Sequence, residues 1–292
     1  MARSLCQGTG VTTAGGPGSG TSPVPGASKG SVITTERHGP VALVVLDRPG
    51  SRNALTAAMI ADLATALADA DADRDVAAVV LTGRDPAFCA GLDLKDLART
   101  YEDVAEAPRG DGDAVPRIGR GLTPETTKPR IGAINGPAVT GGLELALGCD
   151  FLIASERASF ADTHARVGVM PAGGMTIRLP ELIGINRARQ MSLTGNFVGA
   201  TTACAWGLVN EVVPHDELLP RSFALAGAIA ESDPAAIAEL RSMYGALAHR
   251  GDEESYRDEA RWSRRWMKER FDPRAFEARR DGIIERGSTQ QA

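Results

Sequence analysis

The chain has 292 residues, of which 43% are apolar and 24% are charged, a balance that allows a sizeable globular core. With 32 lysines and arginines against 37 acidic residues the formal net charge is -5, which argues against nucleic acid as a partner. The four cysteines stand far apart and the histidines form no cluster, so we expect free thiols, no disulfide framework and no metal site. No segment is apolar over the length of a signal peptide core or a membrane span. We therefore expect a cytoplasmic protein with no membrane partner.

The beginning of the chain differs in composition from the rest. Residues 1–30 are rich in Gly, Ser, Thr and Pro and bury too little surface to offset their ordering entropy, so they are predicted to be a disordered tail. An α/β core is predicted over residues 31–215. Its predicted strands are Val41–Leu46, Val76–Gly83, 130–138, 151–155 and 207–213, with a helix that is capped by Thr56 and runs to about Asp71. Because strands alternate with helices, parallel pairing is expected.

Two later stretches stand apart from this alternation. Residues 103–124 are polar and punctuated by Gly and Pro, which predicts a mobile loop. Residues 216–292 are predicted to be a helical C-terminal region, with amphipathic segments at 216–231, 234–249, 252–270 and 273–285. We expect this region to pack on the core or on another subunit.

Three segments carry candidate chemistry. In Asp85–Leu97, a Gly after a strand leads into a helical pattern, where backbone amides can stabilise negative charge. In Ile134–Asp150, Glu144 lies in an apolar helix after two glycines. Burial there would raise its pKa and suit it to proton transfer, although a glutamate at a helix start is also favoured by the helix dipole alone. In Ser159–Gly184, Asp162 and His164 are candidate acid/base groups, with a purely structural histidine as the alternative.

The three segments read AFCAGLDL, NGPAVTGGLELALGCD and FADTHARVGVMPAGG, in this order. Together with residues 52–55 and 195–213 they resemble the crotonase (enoyl-CoA hydratase/isomerase) superfamily, and the resemblance covers residues 32–285. It implies an α/β fold, a crotonase-like spiral of ββα units followed by helices that form part of the active-site wall. It also implies an acyl-CoA thioester substrate, no cofactor apart from the coenzyme A of the substrate, no metal, and a homotrimer or dimer of trimers.

The resemblance also implies roles for individual residues. The amides of Leu92 and Gly141 are expected to form an oxyanion hole, and Glu144 is the expected catalytic acid/base. Where hydratases of the family carry a second glutamate, this sequence has His164. The residues expected to contact the acyl-CoA are Arg52, Ala54, Ala90, Asp93, Leu94 and Gly142, and the cations that could meet its phosphates are Arg48, Arg52, Lys95 and Arg279 or Arg280.

The leading hypothesis for function is an enoyl-CoA hydratase, with Glu144 as the principal acid/base and His164 assisting. The departure at His164 leaves two alternatives open. An enoyl-CoA isomerase or another enolate-forming acyl-CoA lyase could operate with Glu144 alone. A catalytically weak acyl-CoA-binding protein could keep the oxyanion hole without a full acid/base pair.

Overall fold

The structure, a computed structural model, describes residues 22–23, 32–93, 95–96, 122–248, 252–269, 271, 273–274 and 277. The strands are β1 Ser22–Pro23, β2 Ile33–His38, β3 Val41–Leu46, β4 Ala78–Gly83, β5 Arg130–Ile134, β6 Ala138–Val139, β7 Phe151–Ser155, β8 Ser159–Ala161, β9 Val198–Gly199 and β10 Glu211–Val213. The helices are α1 Ala57–Ala72, α2 Gly141–Leu147, α3 His164–Val167, α4 Met175–Ile183, α5 Ile185–Thr194, α6 Ala200–Trp206, α7 Leu218–Ala230, α8 Pro234–Ala248 and α9 Asp252–Glu269.

The larger sheet of the described chain has seven strands in the order β1-β2-β3-β4-β5-β7-β10. The pairs from β3 through β10 are parallel, as the alternation of strands and helices predicts. The pairs β1-β2 and β2-β3 are antiparallel, so parallel pairing is the wrong expectation for this edge. Only Gly39 and Pro40 separate β2 from β3, and two residues can close a hairpin but cannot form a crossover.

A second sheet, with strand order β6-β8-β9, supplies the other β layer. The strand predicted over 130–138 is in fact two strands, because β5 ends at Ile134 and β6 pairs with β8 instead. Asn135 marks the break: its side chain accepts a hydrogen bond from the Gly83 amide at 3.2 Å and donates one to Asp85 at 2.8 Å. The strand predicted over 207–213 begins only at Glu211, because the preceding residues end α6 and turn.

The main sheet is covered on both faces, and every residue of β3 and β4 is buried. Met59, Leu63 and Leu67 of α1 pack in one core with Val44 and Leu81. The alternate strand residues, such as Leu43 and Val80, pack in a second core with side chains of α7. The predicted cap of α1 is confirmed, since Oγ1 of Thr56 accepts a hydrogen bond from the Met59 amide at 3.1 Å. A side-chain period of two along each strand therefore fills both cores.

The C-terminal helices complete the described structure. α7 packs against β4 and β5, and α9 contacts α4. Met267 and Phe271 pack on Val167 and Val169, beside α3. The predicted tail lies outside the described residues apart from Ser22–Pro23, which pair with β2, and the predicted loop at 103–124 and helix at 273–285 fall mostly outside them too. The division of the chain at residues 30 and 215 thus stays a prediction.

No helix in the described ranges is both long and apolar enough to cross a membrane. The described cysteines, Cys89, Cys149 and Cys204, are buried free thiols, and Cys6 lies outside the described residues.

Candidate active site

Two backbone segments lie side by side at the carboxyl ends of β4 and β5. The Cys89 amide donates to the Pro137 carbonyl at 3.0 Å, and the Val139 amide donates to the Cys89 carbonyl at 2.9 Å. A Cβ on Gly142 would stand 2.1 Å from that same Cys89 carbonyl oxygen, a distance that no side chain tolerates. Glycine at this position therefore lets the start of α2 approach the strand-to-helix segment that ends at Leu92.

The amides of Leu92 and Gly141 meet at this contact. The Leu55 amide donates to the Gly91 carbonyl at 2.7 Å and the Asp93 amide donates to the Leu55 carbonyl at 2.8 Å, so the Leu92 N–H faces away from Leu55. The Cβ position of Gly141 is only 3.5 Å from the Leu92 nitrogen.

Neither of these amides has a hydrogen-bond acceptor within the described part of the chain. Because Gly141 is the first residue of α2, its N–H also stands at the positive end of a helix. Two adjacent donors of this kind suit an oxygen that gains negative charge.

Glu144 lies in the first turn of α2 and is 3% exposed. Its Oε1 accepts a hydrogen bond from the Gly173 amide at 2.8 Å. A Cβ on Gly173 would stand 3.0 Å from the Glu144 carboxyl carbon, so the chain at residues 171–174 runs close against this carboxylate. Glu144 is buried and held by a backbone donor, which is not the setting of a solvated helix-capping glutamate.

His164 connects Glu144 to a second carboxylate. Its Nε2 is 3.8 Å from Oε2 of Glu144, and its Nδ1 is 2.6 Å from Oδ1 of Asp162. Burial acts to raise the pKa of Asp162, but the hydrogen bonds and the charge of His164 outweigh it, and the pKa of Asp162 is held below its ordinary value. The three side chains thus form a buried array in the order Glu144, His164, Asp162.

His164 lies in a short helical turn and not in an extended segment. His164 is the first residue of the short helix α3, and Asp162 follows the last residue of β8. The chain turns between them, so Oδ1 of Asp162 reaches the backbone amide of His164 at 3.1 Å as well as its ring. On a straight strand the two side chains would share a face roughly 6.6 Å apart, and the turn brings Asp162 directly beside the imidazole.

A pair of threonines joins the two halves of the site. Oγ1 of Thr140 lies 2.6 Å from Oγ1 of Thr163 and accepts a hydrogen bond from the Thr163 amide at 3.1 Å. Thr140 has a φ of 54°, which is unusual for a β-branched residue, and it directly precedes Gly141. The bonds to Thr163 help to hold the backbone turn that aims the Gly141 amide.

The residues expected to contact acyl-CoA gather near Leu92. Arg52 is exposed, and its carbonyl accepts a hydrogen bond from the Ala90 amide at 3.0 Å. Oδ2 of Asp93 lies 3.0 Å from Nη2 of Arg48. The Ala54 carbonyl accepts a hydrogen bond from Nη1 of the same guanidinium. Lys95, a candidate phosphate-binding cation, lies two residues further on.

The other predicted contacts have different placements. Gly142 packs against the Cys89 backbone, and Leu94, Arg279 and Arg280 lie outside the described residues. Contact of all these residues with substrate stays a prediction.

Asn53 is an organising residue that sequence reasoning missed. Its Nδ2 donates to the carbonyls of Ala87 and Arg84 at 2.7 and 2.8 Å, and its Oδ1 accepts from the Arg48 amide at 2.9 Å. Its φ is 56°, a left-handed conformation that Asn tolerates better than most residues. An Asn between Arg52 and Ala54 is a weak signal for such a role. Within the described residues no group of three or more His, Cys, Asp or Glu side chains is arranged to hold a metal ion.

Comparison with known proteins identifies the family of this chain. A family model described as enoyl-CoA hydratase/isomerase matches residues 36–278. A protein named probable enoyl-CoA hydratase 1, peroxisomal, from Arabidopsis thaliana is 38% identical over 216 residues, which are 74% of this chain and 79% of the relative. A carnitinyl-CoA dehydratase of Salmonella typhi is 38% identical over 224 residues, which are 76% of this chain and 83% of the relative.

Comparison with solved structures identifies the same family. An enoyl-CoA hydratase from Mycobacterium tuberculosis superposes with a TM-score of 0.71 at 47% identity, covering 80% of this chain and 98% of that one. A carnitinyl-CoA dehydratase from Mycobacterium avium superposes with the same TM-score of 0.71 at 34% identity, covering 84% of this chain and 94% of that one. The resemblance seen in the three sequence segments is confirmed, and the chain belongs to the enoyl-CoA hydratase/isomerase, or crotonase, family.

Proposed function

We propose that the protein is an enoyl-CoA hydratase, a lyase that adds water to a trans-2-enoyl-CoA through an enolate-like thioester. The observation that carries this proposal is the pairing of two adjacent amide donors, which have no acceptor among the described residues, with a buried carboxylate and imidazole on neighbouring elements. The names of the relatives at 38% and 47% identity agree with it.

The amides of Leu92 and Gly141 have the first task in this reaction. The thioester oxygen of the substrate accepts a hydrogen bond from each, which draws electrons from the conjugated double bond and makes the β-carbon electrophilic. When water adds, the negative charge that develops on this oxygen is stabilised by donors already in place. Each such donor contributes on the order of 3 kcal/mol to the transition state.

Glu144 and His164 perform the proton transfers. The 3.8 Å between Oε2 and Nε2 is longer than a hydrogen bond but short enough for one substrate water, lying to the side of the two atoms, to contact both. Because Gly173 binds Oε1, Oε2 is the oxygen that takes a proton from the water while the water oxygen bonds to the β-carbon. The protonated Nε2 of His164 then gives its proton to the α-carbon. Proton transfer from Glu144 to the imidazole restores both groups.

Asp162 is a positioning residue in this scheme. It accepts the Nδ1–H of His164, which fixes the orientation of the ring and leaves Nε2 to face Glu144. Its negative charge also stabilises the imidazolium that donates to the α-carbon. We therefore propose that a buried Asp–His pair replaces the second glutamate of the family pattern.

Removal of water from a 3-hydroxyacyl-CoA uses the same groups in reverse, and relatives named carnitinyl-CoA dehydratase are consistent with that direction. Double-bond migration by Glu144 alone is the alternative, and the buried pair of His164 and Asp162 favours the two-group reaction over it. We further propose a homotrimer or dimer of trimers in the cytoplasm, in which exposed apolar side chains such as Leu193, 77% exposed, contact another subunit.

The test compares hydration, double-bond migration and binding of a series of enoyl-CoA thioesters for the intact protein and two variants. We expect hydration by the intact protein. His164→Ala should lower it by roughly 10²–10⁴-fold, the contribution of a general acid. His164→Glu should also lower it, because the new carboxylate would stand beside those of Asp162 and Glu144. Double-bond migration without hydration, unchanged in both variants, would contradict the proposal.

A further inference from the structure

Thr140 is a buried residue, 8% exposed, with an unusual backbone conformation at the start of α2. Its φ of 54° and ψ of -113° lie outside the regions that a β-branched residue ordinarily occupies. Such a conformation is costly, persists only where the surrounding contacts enforce it, and occurs most often at functional sites. The contacts of Thr140 therefore indicate what the residue does.

Hydrogen bonds hold Thr140 through both its backbone and its side chain. Its amide donates to the Ala161 carbonyl at 2.8 Å, and its carbonyl accepts the Glu144 amide at 2.9 Å as α2 begins. Its hydroxyl oxygen accepts the Thr163 amide at 3.1 Å and lies 2.6 Å from the Thr163 hydroxyl oxygen. The two backbone bonds can form with any side chain at position 140 that tolerates the turn, whereas the two bonds to Thr163 require the hydroxyl group.

The bonds to Thr163 have no substitute in the described part of the chain. Thr163 is buried, and Oγ1 of Thr140 is the acceptor that its amide has there. Removal of the Thr140 hydroxyl would leave this buried N–H without a partner, which is more costly than the loss of an exposed hydrogen bond. Because Thr163 is followed directly by His164, the turn that carries the imidazole depends on the oxygen of Thr140.

Thr140 also lies beside the two amides of the oxyanion hole. It directly precedes Gly141, and a Cβ on Gly91 would stand 3.5 Å from the Cβ of Thr140 and 3.6 Å from the Gly141 nitrogen. Gly91 in turn precedes Leu92, whose amide is the second donor. One side of Thr140 thus packs against the segment of the amide donors, while its hydroxyl group binds the segment of the imidazole.

We propose that Thr140 is a positioning residue whose hydroxyl group couples the amide that polarises the thioester to the imidazole that donates the proton. This inference rests on the proposed hydratase site and adds to it a residue that acts through Gly141 and His164, without touching substrate. The contacts predict an order of effects. Thr140→Val removes both bonds to Thr163, Thr163→Val removes only the bond between the hydroxyl groups, and Thr140→Ser keeps both.

Steady-state hydration of a trans-2-enoyl-CoA measures this order. Thr140→Val should lower kcat about 10- to 100-fold, the effect of removing an orienting partner, and leave KM within about threefold. Thr163→Val should lower kcat less, Thr140→Ser should stay within about threefold of the intact protein, and the double valine variant should be no worse than Thr140→Val. Thr82→Val is the matched control, because the buried Thr82 hydroxyl donates to the Ala133 carbonyl at 2.7 Å within the main sheet. It should lose stability and keep kcat.

A spectroscopic measurement separates this inference from the proposed activity. A conjugated enoyl-CoA bound to Glu144→Gln is not consumed, and the red shift of its absorbance reports polarisation of the thioester. The red shift should persist when Thr140→Ser is added and should shrink when Thr140→Val is added. If the intact protein hydrates nothing and the red shift still responds in this way, the hydratase proposal fails and the role of Thr140 stands.

Two results would overturn the inference. One is an unchanged kcat and an unchanged red shift in a folded Thr140→Val variant, and the other is an equal loss of kcat in Thr82→Val. If Thr140→Val does not fold, Thr140→Gly provides the same comparison. Glycine adopts a φ of 54° without strain but has no hydroxyl group, so it should show the losses expected for valine while the turn itself is kept.

Discussion

Nδ1 of His164 lies 2.6 Å from Oδ1 of Asp162, and the two side chains are 5% and 3% exposed. The opposite ring nitrogen faces Glu144. One imidazole is therefore placed between two carboxylates, of which Asp162 contacts it directly and Glu144 lies 3.8 Å away, beyond hydrogen-bond distance. The proposed mechanism gives the two carboxylates different tasks, and each task can be tested separately.

Asp162→Asn should change the pH dependence of the reaction. Without the carboxylate the imidazolium of His164 is less stable, so the activity lost with rising pH should be lost at lower pH than in the intact protein. We expect kcat to fall about 10- to 100-fold, the size of effect seen when an orienting partner of a functional histidine is removed, with KM nearly unchanged. Steady-state kinetics across pH measures both effects.

Asp85→Asn is the control for this substitution. Asp85 also binds a histidine, with 3.0 Å between Oδ2 and Nε2 of His215, but that pair lies outside the Glu144–His164–Asp162 array. The same chemical change there should leave the pH–rate profile where it is. Parallel loss of kcat in both variants, with no shift in either profile, would make the role of Asp162 structural.

Glu144→Gln should reduce hydration by roughly 10²–10⁴-fold and leave acyl-CoA affinity within a few-fold. The amide oxygen of glutamine can still accept the Gly173 N–H that now binds Oε1 at 2.8 Å, so the local fold is kept. The proton carrier is lost, because an amide does not take a proton from water. Turnover near that of the intact protein would remove Glu144 from the mechanism.

Gly141→Pro and Gly141→Ala test the oxyanion hole as a pair. Proline removes the N–H at the first position of α2, where a helix tolerates it, whereas alanine keeps the N–H and places a Cβ 3.5 Å from Leu92 in ordinary contact. A bound conjugated enoyl-CoA should show a red-shifted absorbance with the alanine variant and not with the proline variant. The proline variant should also lose about 10²–10³-fold in kcat. A red shift that persists in a folded proline variant would place the donor elsewhere.

Gly142→Ala should destabilise the protein by at least about 2 kcal/mol, because the added methyl group meets a backbone carbonyl at 2.1 Å and one of the two segments must move. Gly227→Ala is the matched control. Gly227 lies within α7 and has nothing within 4 Å of its Cβ position, so alanine there should be neutral or slightly stabilising. Urea unfolding of the two variants gives the comparison, and equal stability of the two would show that the contact at Gly142 relaxes freely.

Acid should weaken the fold partly through Asp162. Its pKa is lower in the folded protein than in the unfolded chain, so the unfolded chain binds the proton more tightly. The stability that Asp162 contributes is therefore complete above about pH 4, the ordinary value for Asp, and is lost as pH falls through the folded value. Asp162→Asn should lower the free energy of unfolding at neutral pH and flatten its decline below about pH 4. The free energy of unfolding should be measured at a series of pH values for the intact protein and for Asp162→Asn. Parallel curves for the two proteins would contradict this prediction.

The sequence predicts features that repeat along the chain better than features that depend on a distant partner. Strands such as Val41–Leu46, the Thr56 cap and the glycines before Glu144 have local signals, and the structure has each of them. The split of 130–138 into two strands depends on Asn135, whose partners are about 50 residues earlier in the chain. Periodicity contains no information on such contacts.

The site shows the same limit. The resemblance names Leu92, Gly141, Glu144 and His164, and the structure brings them together. The contact between Asp162 and His164 depends on a turn that a strand pattern does not predict. The burial of Arg130 has no local signal either, because an arginine at the start of a strand is usually exposed. Its burial depends on the elements that pack around it.

The hydrogen bonds between Thr140 and Thr163 have a consequence for how this protein can be altered. Thr140 immediately precedes Gly141 and Thr163 immediately precedes His164, so a shift of either threonine displaces the Gly141 amide and the His164 imidazole together. The Gly141 amide and the His164 ring therefore keep one fixed geometry relative to each other.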